Sequence, residues 1–389
     1  MRHLYVHVPF CVRRCSYCDF SIAVRKRIPA REYVDAVLRE LTLVRNSSPG
    51  WSDQRAMPRG SSDTSLATLY LGGGTPSLLP PEVISTLLTS LFDAFGVTSQ
   101  RDEVEVTLEA NPEDVTRHSA TLWHHAGINR VSLGAQSFDD GVLAWMHRSH
   151  DAASIGAAVR ALRAAGIENI SLDLIFALPP ELRRDWNRDL ERALALEPSH
   201  LSLYGLTVEE RTPLGRWISR GATSAPDDER YAEEYLRAHT RLAAAGYRFY
   251  EVSNAARNER RSRHNAAYWS GAAYLGLGPA AHSFDGRTRR WNTTAWEAYR
   301  RALAAGRSPM AAEEILTQEQ RELERLYLAL RTDVGLPLTD RYRPLLSATA
   351  QWVARGWVEV SDGALRCTPE GWLRLDPLVR DLTTPPVMS

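Results

Sequence analysis

Three cysteines close to the start of the chain form the strongest chemical motif in this sequence. Cys11, Cys15 and Cys18 follow the spacing C-x3-C-x2-C, and the one remaining cysteine, Cys367, lies far away along the chain. Three thiolates in one short segment can hold a metal centre and leave one coordination position to a group that is not protein. A reactive centre needs such an open position, whereas a structural centre fills it. The spacing therefore predicts a metal centre with a chemical task.

Other uses of clustered cysteines fit the sequence less well. A disulfide framework is typical of small secreted chains with an even set of cysteines, whereas this chain has 389 residues. A structural zinc ion needs a fourth ligand, which His3 or His7 would have to supply, and zinc ligands usually come in two pairs. No second pair of cysteines is present in the sequence. The pattern favours an iron–sulfur cluster and leaves zinc as the alternative.

The charge balance gives the chain no general attraction to polyanions. Lysine plus arginine and aspartate plus glutamate number 47 each, so the net charge at pH 7 is zero. We therefore expect no nucleic-acid partner. The first residues lack the apolar segment of a secretory signal, and no apolar run reaches the length of a membrane span. Together with clustered reduced thiols, these features predict a cytoplasmic protein.

The elements that must position the cysteines alternate between strand and helix patterns. Short apolar runs predict strands, and apolar residues at helix spacing lie between them, as at Tyr33, Val37 and Leu41. Repeated strand–helix units predict an α/β fold with a parallel sheet, either open or rolled into a barrel. The predicted strands are residues 4–8, 66–71, 104–108, 130–133, 170–175 and 200–204.

The chain divides into three predicted parts, residues 1–215, 216–312 and 313–389. The first holds the strand–helix units, interrupted by a surface insertion at 46–65 that is rich in serine, proline and glycine. The last combines helices with a small hairpin and resembles a winged-helix domain, and because it has no basic stripe we expect it to dock a protein. The elements predicted in the second and third parts are helices at 228–245, 318–330 and 345–355 and strands at 247–252, 357–360 and 364–367.

Polar motifs gather at the predicted C-terminal ends of the strands, where parallel α/β folds place their active sites. The glycines of the run 72–76 let backbone groups approach a ligand, although a tight turn would also use one of them. Glu109 is either a ligand contact or a solvated loop charge. Gln136 and Asp173 are either ligand contacts or polar groups satisfied at the sheet end. The residues at these ends are Cys11, Cys15, Cys18, Gly72, Gly73, Gly74, Thr75, Glu109, Asn111, Gln136, Asp173, Tyr204 and Thr207.

Two of these motifs together resemble the radical SAM superfamily. The cysteine spacing, with Tyr17 just before the third cysteine, and the Gly-Gly-Gly-Thr-Pro strand end carry the resemblance, which covers residues 1–210. Within the superfamily, the run Tyr-Val-His-Val-Pro-Phe-Cys at 5–11 resembles the branch of coproporphyrinogen III dehydrogenases and heme chaperones. The segment His-Asn-Ala-Ala-Tyr-Trp at 264–269 is similar to the H-N-x-x-Y-W motif of the heme chaperone (HemW) family.

Two details distinguish the chaperones from the oxygen-independent dehydrogenases in this branch. The dehydrogenase pattern has a further cysteine two residues past the third, and this sequence has Phe20 there. The dehydrogenases also carry an N-terminal extension, whereas this sequence begins four residues before Tyr5. The resemblance therefore implies a heme chaperone. Oxidative decarboxylation of coproporphyrinogen III to protoporphyrinogen IX is the alternative.

The resemblance implies a fold, two cofactors and a cargo. The fold would be an incomplete parallel (βα)6 TIM-like barrel with a C-terminal α+β winged-helix-like domain. The three clustered cysteines would ligate a [4Fe–4S] cluster whose fourth iron binds S-adenosylmethionine (SAM). The residues implied to contact SAM are Tyr5, Tyr17, Gly73, Gly74, Thr75, Glu109, Gln136, Arg148, Asp173 and Thr207.

Heme is the implied cargo, with His264 as its axial ligand, although a histidine in this context can also hydrogen-bond within its own turn. The implied partners are a heme-acceptor protein, an electron donor, and a membrane surface reached through the acceptor. SAM cleavage is compatible with this assignment, whereas coproporphyrinogen turnover is not expected.

Overall fold

The computed structural model describes residues 2–47, 66–97, 103–343 and 345–383. The insertion predicted at 46–65 lies outside these residues apart from its first two. Within the described part, one long sheet carries helices on one face, and a small unit follows at the C-terminus. None of the described helices has the length and apolar content that a membrane span requires.

The strands of the long sheet include the six that the sequence predicts. Numbered along the chain, the strands are β1 (His3–Val8), β2 (Phe10–Cys11), β3 (Ala23–Val24), β4 (Thr68–Gly73), β5 (Glu105–Ala110), β6 (Arg130–Gln136), β7 (Asn169–Phe176), β8 (His200–Gly205), β9 (Arg248–Glu251), β10 (Asn254–Ala256), β11 (Tyr274–Leu277), β12 (His282–Phe284), β13 (Thr288–Asn292), β14 (Met310–Ile315), β15 (Leu336–Pro337), β16 (Val358–Ser361) and β17 (Ala364–Cys367). Strands β1 and β4 to β8 are parallel and adjacent in chain order. The sheet has two free ends, which confirms an incomplete parallel barrel.

Helices follow most of the parallel strands and cover their outer face. Several begin at a side-chain cap, for example at Asp151 and Asp185, whose carboxylates accept from backbone N–H groups of the first turn. The helices are α1 (Ala30–Ser47), α2 (Pro81–Phe95), α3 (Arg117–His125), α4 (Asp140–Trp145), α5 (Ala152–Ala164), α6 (Trp186–Ala195), α7 (Pro213–Ser219), α8 (Asp228–Ala244), α9 (Arg263–Trp269), α10 (Trp296–Ala304), α11 (Gln318–Leu330), α12 (Leu345–Ala354), α13 (Pro369–Trp372) and α14 (Leu375–Thr383).

The two faces of the parallel strands have opposite chemistry. Side chains alternate along a strand, so Leu4 and Val6 of β1 and Leu69 and Leu71 of β4 all lie on the outer face, fully buried beneath the helices. The inner face is polar over its whole length and is tied together by hydrogen bonds between strands. Its polar residues are His3, Tyr5, His7, Thr68, Tyr70, Glu105, Thr107, Glu109, Arg130, Ser132, Ser171, Asp173, His200, Ser202 and Tyr204.

The extension predicted at 216–312 adds strands to both edges of the parallel sheet. Strand β11 pairs in parallel with β1, and β12, β13 and β14 continue from it as an antiparallel meander. At the other edge, β10 pairs antiparallel with β8, and β9 lies outside it. A buried carboxylate fastens the first edge, because Glu40 of α1 accepts from Gly278 N at 2.8 Å, Asn292 Nδ2 at 2.5 Å and the Tyr299 hydroxyl at 2.6 Å.

The C-terminal unit has the helices and the hairpin that the sequence predicts. Strands β15, β17 and β16 form a separate antiparallel sheet in that order. Helices α11 and α14 pack against each other beside it. The Trp372 indole N–H donates to the Leu330 carbonyl at 3.0 Å and ties α13 to the end of α11. This arrangement matches the winged-helix-like architecture expected from the sequence.

Candidate functional site

The cysteine segment forms one wall of a cavity at the C-terminal edge of the parallel strands. Cys11 ends β2, and its Sγ lies 3.3 Å from the Thr75 hydroxyl. Cys15 and Cys18 follow in an irregular segment, and all three thiols are free. Arg148 Nη1 lies 3.6 Å from Cys15 Sγ. All three cysteines line the cavity.

The cavity has a volume of about 520 Å³ and collects most of the residues singled out in the sequence. Motifs that lie up to about 200 residues apart meet here because consecutive parallel strands end at one edge. Of the residues predicted to bind the cluster, SAM or heme, Tyr5 and His264 do not line it. The predicted residues that do are Cys11, Cys15, Cys18, Tyr17, Gly73, Gly74, Thr75, Glu109, Gln136, Arg148, Asp173 and Thr207.

The glycine run forms an edge that side chains would fill. Gly73 has φ of +113°, and a Cβ there would lie 2.7 Å from His7 Cε1. A Cβ on Gly74 would lie 2.7 Å from the Phe10 carbonyl oxygen and 3.0 Å from Cys11 Sγ. Gly73 therefore needs the conformational freedom of glycine, and Gly74 is required by the close approach of the cysteine segment.

Glu109 lies at the base of the cavity, where burial changes its acidity. The Tyr70 hydroxyl and the Gly73 N–H each donate to one of its carboxylate oxygens at 2.9 Å. Burial raises the pKa of Glu109 to about 7, with a smaller contribution from the nearby carboxyl of Asp173. The group is therefore partly protonated near neutral pH. A ligand that brings hydroxyl or ammonium donors would favour its charged form.

Asp173 forms a second acidic position beside Glu109. Ser132 donates to both of its carboxylate oxygens, at 2.9 and 3.0 Å, and Ser171 donates to one at 3.2 Å. Burial raises the pKa of Asp173 above its usual range. The two carboxyl groups give the cavity floor an excess of acceptors.

Arg148 supplies positive charge on the cysteine side of the cavity. Its Nη2 donates to Asn111 Oδ1 at 2.5 Å and to the Gly134 carbonyl at 3.0 Å. Its Nε has no hydrogen-bond partner among the described residues, although it is buried. Gln136 ends β6 where the register is irregular, with φ of +64°. Thr207 lies at the rim after β8.

Tyr5 contacts the underside of the glycine edge and is absent from the cavity wall. Its hydroxyl is hydrogen-bonded to His7 Nδ1 at 3.0 Å, and a Cβ on Gly72 would lie 2.9 Å from its ring. Its ring also faces Tyr70, with the ring centroids 6.1 Å apart. In this conformation the tyrosine supports the edge, and its predicted contact with SAM stays a prediction.

His264 lies at the opposite end of the barrel from the cavity. Its Nδ1 is 2.7 Å from the Thr68 hydroxyl and its Nε2 is 2.9 Å from the Tyr268 hydroxyl. The Glu105 carboxylate accepts the backbone N–H of His264 at 2.9 Å, and the residue is 1% exposed. Burial lowers its pKa to about 3, so the imidazole is neutral. An axial bond to heme iron must therefore replace one of two existing hydrogen bonds, and this ligand role stays a prediction.

Several residues of the two sites were not assigned from the sequence. Ser132 and Thr68 look like ordinary strand residues, and nothing in their neighbourhood indicates partners far along the chain. Asn111 lies two residues after Glu109 at a predicted strand end, and its hydrogen bond to Arg148 joins it to a residue 37 positions away. The sequence suggests only a zinc-ligand role for His7, whereas its ring packs beneath Gly73.

The chemistry of the cavity fits the cluster and SAM that the cysteine motif implies. Burial raises the pKa of the Cys11 thiol to about 11, so bound iron would have to favour the thiolate. Among the described residues, no three His, Cys, Asp or Glu side chains converge on a single metal ion, as mononuclear zinc would require. A four-iron cluster spreads three thiolates over three irons and does not need that convergence. The glycine edge and the two buried carboxyls offer the backbone and acceptor groups that a cationic nucleoside derivative would use.

Fold and site together define the class of protein: a radical SAM barrel, with its cluster loop after the first strand and its ligand cavity at the strand ends. The family model described as the Radical SAM superfamily matches residues 62–193. Coproporphyrinogen III oxidase (HemN) from Escherichia coli has the same fold, with a TM-score of 0.78 and 23% identity over 98% of this chain and 90% of that one.

Full-length relatives identify the family within this class. The heme chaperone HemW of Mycobacterium tuberculosis is 36% identical over 97% of this chain and 94% of its own length. HemW of Bacillus subtilis is 31% identical over 96% of this chain and 97% of its own. The mitochondrial radical S-adenosyl methionine domain-containing protein 1 of Bos taurus is 32% identical over 97% of this chain and 86% of its own. The chain belongs to the HemW family of radical SAM proteins.

Proposed function

We propose that this protein is a heme chaperone that carries a [4Fe–4S] cluster and SAM in the barrel cavity and passes heme to an acceptor protein. The observation that carries the proposal is that one chain combines the cysteine-lined cavity with a helix that holds the H-N-x-x-Y-W motif. The chain is also similar to the heme chaperone HemW of Mycobacterium tuberculosis over 94% of that protein's length. The need for reduced thiols supports a cytoplasmic location. The acceptor is the partner through which we propose contact with a membrane.

The residues of the cavity would have three roles. Cys11, Cys15 and Cys18 would hold three irons. The Gly73–Gly74 edge would meet the amino acid part of SAM, and the carboxyls below would accept from its donors. When bound, the reduced cluster and SAM can together supply one-electron cleavage of a carbon–sulfur bond. The Gly73–Gly74 edge would orient the sulfonium, and the cavity walls would shield it in part from water.

The heme site would use the helix α9 at the other end of the barrel. Tyr268 and Trp269 offer aromatic surface beside His264, and Arg331 lies over the Trp269 ring at 4.4 Å. Because the Tyr268 hydroxyl is hydrogen-bonded to His264 Nε2, heme binding at this histidine needs a local rearrangement of α9. We propose that such a rearrangement accompanies heme loading.

Coproporphyrinogen dehydrogenation is the second candidate function, and the cavity wall argues against it. Phe20 stands where the dehydrogenase pattern has a cysteine, and it is 58% exposed at the cavity mouth. The likeness to HemN, at 23% identity, concerns the fold alone.

Anaerobic reconstitution followed by two assays tests the proposal. We expect close to four irons per chain, a saturable Soret band on titration with hemin, and loss of that heme to an added apoprotein acceptor. Absence of saturable heme binding in cluster-loaded protein would refute the chaperone function. Formation of protoporphyrinogen IX over several turnovers would establish the dehydrogenase instead.

A further inference from the structure

Arg130 is a positive charge buried inside the barrel, and the proposed function gives it no role. It is the first residue of β6, and only 1% of its surface is exposed. Its Nε and Nη1 atoms are buried and have no hydrogen-bond partner among the described residues. Because a buried charge without a partner is costly, such a side chain indicates a bound molecule or a functional task.

A second unsatisfied group lies beside Arg130 on the neighbouring strand. Thr107 of β5 is paired with Arg130 in the parallel register, so the two side chains share the inner face of the sheet. The Thr107 hydroxyl is also buried and has no partner in the part of the chain that the structure describes. A guanidinium only donates hydrogen bonds, whereas a hydroxyl also accepts them. Buried water is held by a few polar groups of this kind, and this part of the barrel provides them.

The acidic floor of the SAM cavity lies on the cavity side of Arg130. Ser132, two residues further along β6 on the same face, donates to both carboxylate oxygens of Asp173. Burial raises the pKa of Asp173, and the positive charge of Arg130 opposes this rise. Burial likewise raises the pKa of Glu109 to about 7, against a smaller opposing effect of Arg130. Arg130 therefore favours the ionised form of both carboxyls.

Arg130 and the histidines and tyrosines around it keep their protonation states near neutral pH. Burial lowers the pKa of Arg130, but nearby acidic groups, with the Glu105 carboxylate first among them, more than offset this effect, so the guanidinium stays charged. Burial lowers the pKa of His200 well below its usual value and that of His264 to about 3, so both imidazoles are neutral. Burial raises the pKa of the tyrosines that face Arg130 or the two floor carboxyls, and these phenols stay neutral: Tyr5, Tyr70, Tyr204, Tyr250 and Tyr268.

We propose that Arg130 is a positioning residue for SAM, which stabilises the ionised acidic floor of the cavity from inside the barrel through ordered water. The inference rests on the proposed function in taking SAM as the ligand of that floor. SAM carries a positive sulfonium and a positive ammonium group, so it binds best to charged carboxyls. Two neighbouring carboxyls repel each other when both are charged, and a cation behind them offsets this repulsion. Arg130 does not line the cavity, so it does not touch the ligand itself.

The pH dependence of SAM binding tests this role. Arg130→Met removes the charge and keeps an unbranched side chain, and equilibrium dialysis of the cluster-loaded full-length protein measures the SAM affinity from pH 6 to pH 9. Loss of the cation makes the carboxyls harder to ionise. The midpoint of the rise in affinity should therefore move up by about one pH unit, with the affinity at pH 7 lower by about fivefold. At pH 9 the variant should bind as tightly as the wild type. A loss that is equal at every pH would indicate a merely structural role and overturn the proposal.

Two further variants separate the charge from the loss of a buried arginine. Arg130→Lys keeps the positive charge and should keep the wild-type midpoint. Arg184→Met removes a buried guanidinium outside the barrel interior, where it is ion-paired with Glu234 at 2.7 Å, and should also keep the wild-type midpoint. A midpoint that moves as far in Arg130→Lys or in Arg184→Met as in Arg130→Met would contradict the assignment.

A crystal structure of the wild-type protein without SAM tests the same role without a variant. We expect ordered water on Arg130 Nε and Nη1 that extends toward Asp173. A bound anion at these atoms would overturn the proposal, because it would cancel the charge that the floor needs. Failure of the wild type to bind SAM would refute the cofactor site and this inference with it. Binding of SAM with equal midpoints in the wild type and Arg130→Met would refute this inference alone, so the two failures are distinguishable.

Discussion

His264 is hydrogen-bonded to Thr68, the first residue of the strand whose last residue is Gly73. The chaperone motif and the glycine edge of the cavity therefore stand at opposite ends of one six-residue strand. At about 3.3 Å per residue, the two positions are roughly 17 Å apart. A heme held by His264 would be remote from the cavity in which a radical could form. This separation suits cargo better than a substrate of the cavity.

The hydroxyl of Tyr268 lies 2.9 Å from His264 Nε2 and would have to move before heme iron could bind that nitrogen. We expect Tyr268→Phe to bind hemin faster and more tightly than the wild type, because it frees Nε2 without removing the ring. His264→Ala should weaken the Soret band or shift it. Stopped-flow absorbance with hemin measures both effects, and His282→Ala, at an exposed position of β12, is the matched control. Loss of the Soret band in His282→Ala, with His264→Ala unchanged, would move the ligand to His282.

The three cavity cysteines should differ from the fourth in their effect on iron. Cys11→Ala, Cys15→Ala and Cys18→Ala should each abolish cluster absorbance after anaerobic reconstitution. Cys367→Ala should retain it, because that thiol is buried in β17 of the C-terminal unit, where burial raises its pKa to about 12. Iron and sulfide counts check the result. A cluster lost in Cys367→Ala would show that the ligand assignment is wrong.

Binding of SAM should strengthen as pH rises through neutrality. Glu109 has a pKa of about 7 because it is buried, so it loses its proton in this range, and the charged form is the better acceptor for the ligand. From pH 8 to pH 6 we expect the affinity to fall about tenfold. Glu109→Gln should bind more weakly and lose most of this slope. Equilibrium dialysis of cluster-loaded protein tests this, and an equal slope in Glu109→Gln would exclude Glu109 as its source.

The protein should not convert coproporphyrinogen III to protoporphyrinogen IX, even when cluster, reductant and SAM are supplied. Phe20 at the cavity mouth replaces a residue of the dehydrogenase pattern, and a radical intermediate that is not enclosed is lost to side reactions. Slow reductive cleavage of SAM alone is compatible with this expectation. Chromatographic detection of the decarboxylated porphyrin over several turnovers would contradict it. Phe20→Cys, assayed in parallel, measures how much this one position contributes.

The sequence predicted the parallel strands well, because the polar residues that could bind a ligand lie at the ends of those strands. Apolar runs located the six parallel strands within a few residues, and the polar motif after each run then had to lie at the same edge. Glu109 and Asp173 are close in space for this reason alone. Gly73 was assigned correctly to a close approach, although its main neighbour is the His7 ring instead of open space.

Contacts between distant segments could not be predicted from the sequence. Nothing in a strand residue such as Thr68 indicates that its hydroxyl meets an imidazole 196 positions later. Strand β13 carries Arg289 and Arg290, whose charge hides the alternation that a half-buried strand would show. The sequence assigns Tyr5 to the SAM site because it belongs to the motif that leads into the cysteines. In the structure its side chain lies on the inner face of the sheet, below the cavity floor.

The pairing of β11 with β1 determines which parts of the protein unfold together. A chain cut after residue 215 would leave the N–H and C=O groups of β1 unpaired along one edge, and the Glu40 carboxylate would be buried without its donors. We expect such a fragment to aggregate or unfold, so that proteolysis after residue 215 would not release a working barrel. We therefore expect the two ends of the barrel to unfold in one cooperative step, so that misfolding at the cysteine cavity would also disrupt helix α9.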